Sequence, residues 1–297
     1  MYVIAGATGN TGNRIANLLV DAGQKVKVIS RSEEKLSALV AKGAIPVVGD
    51  LTDKAFLTQA FEDAESIYAL IPPKFDAVDF RAYQNSVGNA FVEAVMATGV
   101  KNVIILSSFG AHLEEKSGVI LGLHDLEQAL AKIEGINVLN LRAGFFMENF
   151  YGMIGTIQQA GVLGGFPIAG DIAIPVVHTR DIAKVAANHF LKQDFKGQSH
   201  QYVAGERDLT MNESAKVLGK AIGKDDLVWV QFPYDQAREA MIQMGTSPSL
   251  ADAYIEFCQR VNDGTLQSDY ERTPENTTET SIEDFSEEFA RAYRQQL

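Results

Sequence analysis

Residues 2–12, Tyr2-Val3-Ile4-Ala5-Gly6-Ala7-Thr8-Gly9-Asn10-Thr11-Gly12, join a short apolar strand directly to a glycine-rich turn. An amphipathic pattern follows from Asn13 to about Ala22 and predicts a helix. A strand that turns sharply into a helix aims the first-turn N–H groups and the positive end of the dipole at one spot, where a pyrophosphate can sit. Glycines keep that spot clear of Cβ atoms. The spacing is G-x-x-G-x-x-G rather than the commoner G-x-G-x-x-G, so it is the strand before the turn and the helix after it that make this a dinucleotide-site candidate. The competing reading is an ordinary glycine-rich strand-to-helix turn.

The same alternation of strand and helix continues outward. Strands are predicted at Tyr2–Ala5, Lys25–Ile29, Ala44–Val48, Ser66–Leu70, Asn102–Leu106 and Ile136–Leu141, with helices near 12–22, 33–42, 53–62, 79–98 and 119–133. Gly23, Gly43, Gly99 and Gly135 fall just after four of those helices, where a left-handed residue is commonly required. Repeated βα units of this kind predict an α/β fold, a Rossmann-type doubly wound parallel sheet.

Beyond Arg142 the regularity loosens into an aromatic and glycine-rich stretch, Gly144 to Gly170, that reads as a cap over a site. Further along, Ile172–Val177 is a short strand, Asp181 opens a helix to about Leu191, and Gln201–Ala204 is a strand returning to the sheet. Thr210 and Glu213 form a capping box for a helix to about Ile222. Leu227–Phe232 is a strand candidate, and helices follow near 234–244 and 248–262. Residues 265–280 read as an exposed loop, and Ser281 to about Arg294 as a final amphipathic helix with Ile282, Phe285, Phe289 and Tyr293 on one face. The expected division is a dinucleotide-binding domain over 1–150 that also takes in 176–205, and a smaller, mainly C-terminal α+β substrate-capping subdomain over 151–175 and 206–297.

Composition narrows the partners. The net charge of −12 argues against nucleic acid and anionic membranes, which require basic surfaces. Small molecules are the expected partners, and the chain is expected to be a monomer or homodimer. Cys258 is the only cysteine, which excludes an internal disulfide and fits a reducing compartment, so the expected location is the cytoplasm. No apolar run approaches the ~20 residues that span a bilayer. His112, His124, His178, His189 and His200 show no paired metal-ligand spacing, and no metal is expected.

The second strand discriminates between nucleotides. An NAD site usually ends that strand with a carboxylate for the ribose 2′-hydroxyl, whereas a 2′-phosphate needs cations. Here it ends Val28-Ile29-Ser30-Arg31-Ser32, with Lys35 one turn further, so NADP(H) is expected over NAD(H). The alternative is a solvated Arg31 and Lys35 paired with Glu33 or Glu34. After the third strand, Asp50 and Leu51 sit where an adenine would lie, with Asp50 either accepting from its amine or serving as a turn residue.

These residues resemble the NmrA-like, atypical short-chain dehydrogenase/reductase family, which includes NADPH-dependent quinone, azo and triphenylmethane reductases. The resemblance covers nearly the whole chain and is carried by Gly6–Gly12, Arg31, Gly49-Asp50, Leu141-Arg-Ala-Gly-Phe-Phe-Met-Glu-Asn149 and His178-Thr-Arg-Asp-Ile-Ala183. Ala143 stands where the family usually has Pro. The resemblance implies that Gly6, Thr8, Gly9, Asn10, Thr11 and Gly12 hold the pyrophosphate. It also implies that Gly144, Phe145 and Phe146 border a nicotinamide, and that Leu70, Ile71 and Pro72 lie near its ribose.

The usual proton relay of the wider superfamily, Tyr-x-x-x-Lys, is missing: none of the nine tyrosines has Lys four residues later. His124 is the candidate substitute, because imidazole titrates near neutrality and relatives often carry His-x-x-x-Glu in this helix, where this chain has His124-x-x-Glu127. A structural His124 is the alternative. Ser107, at the end of the fifth strand, is expected either to bond substrate or nicotinamide, or simply to close the strand. Phe146, Met147, Asn149, Phe150 and Phe166 form the expected substrate wall, suited to a flat aromatic or conjugated acceptor. Two functions follow as expectations: an NADPH-dependent reductase of quinone-like or azo acceptors, or a non-catalytic NADP(H)-sensing regulator.

Overall fold

The computed structural model describes residues 1–296. In it the apolar runs become parallel strands and the periodic segments become helices on both sheet faces. In chain order the elements are β1 (Tyr2–Ile4), α1 (Asn10–Asp21), β2 (Val26–Ser30), α2 (Ser37–Ala41), β3 (Ile45–Val48), α3 (Lys54–Ala60), β4 (Ser66–Ala69), α4 (Phe80–Thr98), β5 (Asn102–Ser108), α5 (Leu121–Ala131) and β6 (Asn137–Ala143). The chain continues through β7 (Phe145–Phe146), α6 (Ile154–Ala160), β8 (Ile174–Val177), α7 (Thr179–Lys192), β9 (Gln198–Val203) and β10 (Asp208–Leu209). It closes with α8 (Met211–Ala221), α9 (Tyr234–Gln243), α10 (Pro248–Asn262) and α11 (Ile282–Gln295).

The seven-stranded sheet runs β3-β2-β1-β4-β5-β6-β9, parallel throughout. Strand order reverses between β1 and β4, the switch point where doubly wound sheets open a crevice for ligands. Side-chain alternation assigns the two faces. Val3, Ala5, Val103 and Ile105 meet Leu57, Phe91 and Leu126 of α3, α4 and α5. Ile4, Ile104 and Leu139 meet Ile15 and Leu19 of α1 and Ile182 and Phe190 of α7. Each fully buried side chain of this size contributes about 1.5–3 kcal/mol. A third core lies under the C-terminal elements, where Ile282, Phe285, Phe289 and Tyr293 of α11 bury the expected face.

Gly23, Gly43, Gly99 and Gly135 all have left-handed φ angles, as their positions after helices require. The capping box of Thr210 with Glu213 is present, and Ser247 caps α10 with Pro248 at its first turn.

Several segments depart from the sequence expectation. The helix expected over 33–42 is a 3₁₀ turn, Glu34–Leu36, followed by the short α2. The strand expected over Ile172–Val177 forms as β8, two residues shorter, and pairs with β7 and β10 in a separate three-stranded sheet. Leu227–Phe232 forms no strand: Trp229 makes one bridge to Leu163, and the partner segment turns away at Gly164-Gly165. Residues 265–280 are not an exposed loop. Leu266, Asn276 and Thr280 are buried, and Tyr270 packs edge-on against Phe109 and Tyr202, making the segment a strap across the end of the sheet.

Candidate functional site

Helix α1 begins at Asn10, three residues before the sequence suggested, so Gly12 lies inside its first turn. Gly9 is the N-cap, no side chain caps the helix, and no acidic residue occupies the first turn. Its leading N–H groups are therefore left for an anion. Gly6 has a φ of +63°, and a Cβ there would stand 2.6 Å from the Leu70 side chain. At Gly12 a Cβ would meet the Gly6 carbonyl oxygen at 2.4 Å and that of Ala5 at 2.8 Å. The first glycine thus makes the turn and the third lets the helix approach the strand. The Thr11 side chain is buried and accepts a hydrogen bond from the Tyr68 hydroxyl at 3.1 Å.

From this turn a groove runs over the ends of β1, β2 and β3. Gly6, Thr8, Arg31, Lys35, Asp50, Leu51 and Pro72 all border it. Lys74 and Tyr83, which sequence reasoning missed, border it too, with the Lys74 ammonium 5.5 Å from the Tyr83 ring centre. Among the described residues Arg31, Lys35 and Lys74 form no ion pair, so the expected alternative of pairing with Glu33 or Glu34 is not what the side chains do. Asp50 accepts from both the Thr52 N–H at 2.9 Å and the Thr52 hydroxyl at 2.8 Å. Those bonds, chiefly, hold its carboxyl below the usual range, with Arg31 and Lys74 adding to the effect. Ile71 turns away and packs against the core on the α3 and α4 side.

A second, apolar cleft of about 210 Å³ opens at the ends of β5 and β6. Gly144, Phe145, Phe146, Asn149 and Phe166 line it as expected. Gly144 is required by contact: a Cβ there would lie 2.4 Å from the Pro175 carbonyl oxygen. Phe145 and Phe166 meet edge to face at 5.9 Å. Met147 and Phe150 do not belong to this wall. Both are buried in the C-terminal core, because the 3₁₀ turn that carries them, Met147–Met153, points every third residue inward.

Neither expected catalytic residue lines the cleft. Val103, Ile105 and Ser107 share the strand face that α5 covers, so the Ser107 hydroxyl donates to Glu127 Oε1 of that helix. Ser108, on the opposite face, lines the cleft instead. Strand alternation could have found this. His124 is buried on α5 with Nδ1 2.9 Å from the Ala111 carbonyl oxygen. Glu127, its helical neighbour, is committed to Arg142, which donates to it through Nη2 at 2.7 Å and through Nε at 3.3 Å. Arg142 also reaches Asp269 of the strap at 3.3 Å, and Tyr202 and His112 complete the cluster around Asp269.

The remaining lining was not legible in the sequence. Tyr254, Phe257 and Val261 come from α10, and Leu266 and Gln267 from the strap. Their only local signal is an i, i+3, i+7 spacing on a helix that has a buried face anyway. Among the described residues no helix is long and apolar enough to cross a membrane.

The comparisons agree with this architecture. An NAD(P)H azoreductase of Xenophilus azovorans is 28% identical over 257 residues, covering 86% of this chain and 86% of that protein. The NADPH-dependent quinone oxidoreductase of Escherichia coli, solved with NADPH, superposes with a TM-score of 0.82 at 23% identity, over 97% of this chain and 99% of that one. The Citrobacter sp. triphenylmethane reductase, solved with NADP(H), gives 0.79 at 18% identity, over 98% and 100%. The description of the NmrA-like family matches residues 2–287, and the chain belongs to that family.

Proposed function

We propose that the chain is an NADPH-dependent reductase of flat conjugated acceptors, quinone-like or azo. The observation that carries this reading is the pairing of a cationic groove at the switch point with an apolar cleft at the end of the same sheet. On this reading 1–150 with 176–205 hold the dinucleotide, and 151–175 with 206–297 form the acceptor side. The azoreductase and the quinone oxidoreductase named above point to the same acceptor class.

The residues fit the cofactor. The uncapped α1 terminus and the Cβ-free surface at Gly9 receive the pyrophosphate. Arg31, Lys35 and Lys74 receive a 2′-phosphate, which is why NADP(H) is preferred over NAD(H). Leu70 and Pro72 flank the ribose, and Gly144, Phe145 and Phe146 border the nicotinamide. Bound NADPH supplies the hydride. The protein contributes orientation and exclusion of water by the aromatic wall, while the reduced acceptor, its charge delocalised, takes its proton from water. No Tyr-x-x-x-Lys pair is needed for that chemistry.

The test is NADPH oxidation followed by absorbance over a panel of quinones and azo dyes. Acceleration by at least one acceptor supports turnover. If NADPH binds and no acceptor speeds its oxidation, the sensing function replaces this one.

A further inference from the structure

The cleft holds polar groups that the fold does not use. Among the described residues Ser108 and Asn149 make no side-chain hydrogen bond, and neither does the Tyr254 hydroxyl. Of these, Tyr254 stands on the longest and best anchored element. Its ring is fixed against Phe166, centroids 5.5 Å apart, and it stands on α10 one turn before Phe257 and two before Val261, both lining the cleft. The helix is anchored independently of any ligand: Ser249 Oγ accepts from the Phe80 N–H at 3.0 Å, and Glu256 accepts from the Gly118 N–H at 2.9 Å.

Resting on the reductase reading above, we propose that Tyr254 is the group that hydrogen-bonds the acceptor's oxygen during reduction. An acceptor lying against Gly144 and Phe146 presents its far side to α10. As hydride reaches the conjugated ring, two electrons enter it and negative charge collects on the carbonyl oxygen. A fixed neutral donor at that oxygen strengthens its bond as the charge grows. Tyr254 keeps its own proton, and the oxygen is protonated from water. Burial pushes the phenol above its ordinary value, so it remains an O–H donor through the neutral pH range.

The variant Tyr254→Phe removes only the oxygen. For a benzoquinone, kcat/KM is expected to fall about 10- to 100-fold, the range for a donor aimed at developing charge. NADPH affinity should stay the same. A cationic triarylmethane dye, which accepts hydride at carbon and carries no oxygen to be bonded, should lose less than about threefold. Equal losses for quinone and dye would assign Tyr254 a packing role and overturn the proposal, as would no loss for either. Quinone binding to the NADP⁺-loaded protein, read by Trp229 fluorescence, decides the matter even if the wild type turns nothing over. Weaker binding by Tyr254→Phe supports the hydrogen bond; where no acceptor is turned over, equal affinity, or no quinone binding by the wild type, overturns it. Absence of turnover alone counts only against the reductase reading.

Discussion

Arg142 and Glu127 form a forked ion pair inside the protein, with Nη2 and Nε of the guanidinium meeting both carboxylate oxygens. Both side chains are buried, at 7% and 3% exposure. The pair links β6 to α5, and through Asp269 it ties down the strap whose Leu266 and Gln267 line the acceptor cleft. Removing one partner leaves an uncompensated buried charge. Glu127→Ala should therefore cost about 3–5 kcal/mol in urea unfolding, whereas the double replacement Glu127→Leu with Arg142→Met should cost much less than the sum.

Arg31→Ala tests the nucleotide assignment. Loss of a charge-assisted bond to the 2′-phosphate should weaken NADPH binding about 10- to 100-fold by calorimetry. NADH binding should change little. Lys74→Ala should act in the same direction with a smaller effect, because a flexible ammonium makes a point contact rather than a fork. Unchanged NADPH affinity in Arg31→Ala would remove the basis for the NADP(H) preference.

The glycines separate folding from binding. A methyl group at Gly12 meets two backbone carbonyl oxygens at 2.4 and 2.8 Å, neither of which can swing away. Gly12→Ala should destabilise by about 1–3 kcal/mol and displace α1. At Gly9 the nearest atom is the Gly6 carbonyl oxygen at 3.3 Å, and the position is exposed. Gly9→Ala should leave the thermal midpoint nearly unchanged while weakening NADPH, since the methyl group occupies the surface a pyrophosphate must approach.

Stability should fall on mild acidification. Burial lowers His112 and His200 below their usual 6.5, with the Arg142 guanidinium adding to the effect at both; the carboxylates of Asp269 and Glu127 oppose it. Each side chain then binds its proton more readily in the unfolded chain than in the folded one. The contribution is fully present above about pH 6.5 and is lost as pH drops below it. Urea midpoints across this range should show the decline, and the variant His200→Gln should show a shallower one.

Strand and helix periodicity, the glycine turn and the caps are local, and so β1 to β6, the α1 turn and the α11 face were readable from residue order. The limits of the local signal show at particular residues. The end of β5 offers both Ser107 and Ser108 by type, and only alternation along the strand assigns Ser107 to the α5 face and Ser108 to the cleft. Residues 265–280 read as exposed because they are polar, yet Asp269 and Asn276 spend that polarity on internal bonds to Arg142 and to the strap backbone. Met147 and Phe150 have the chemistry of a substrate wall, and only the geometry of their 3₁₀ turn sends them into the core.

By itself the sequence determined a doubly wound sheet, a helix terminus that follows a glycine turn and a cationic second-strand end, because each depends on residues within a few positions of one another. Tertiary structure alone decided what faces the acceptor. Tyr254 is more than a hundred residues from Gly144 in the chain, and no periodicity relates them. They meet because α10 packs across the end of the sheet while Asp269 is held by Arg142, a set of long-range contacts that only the folded chain can make.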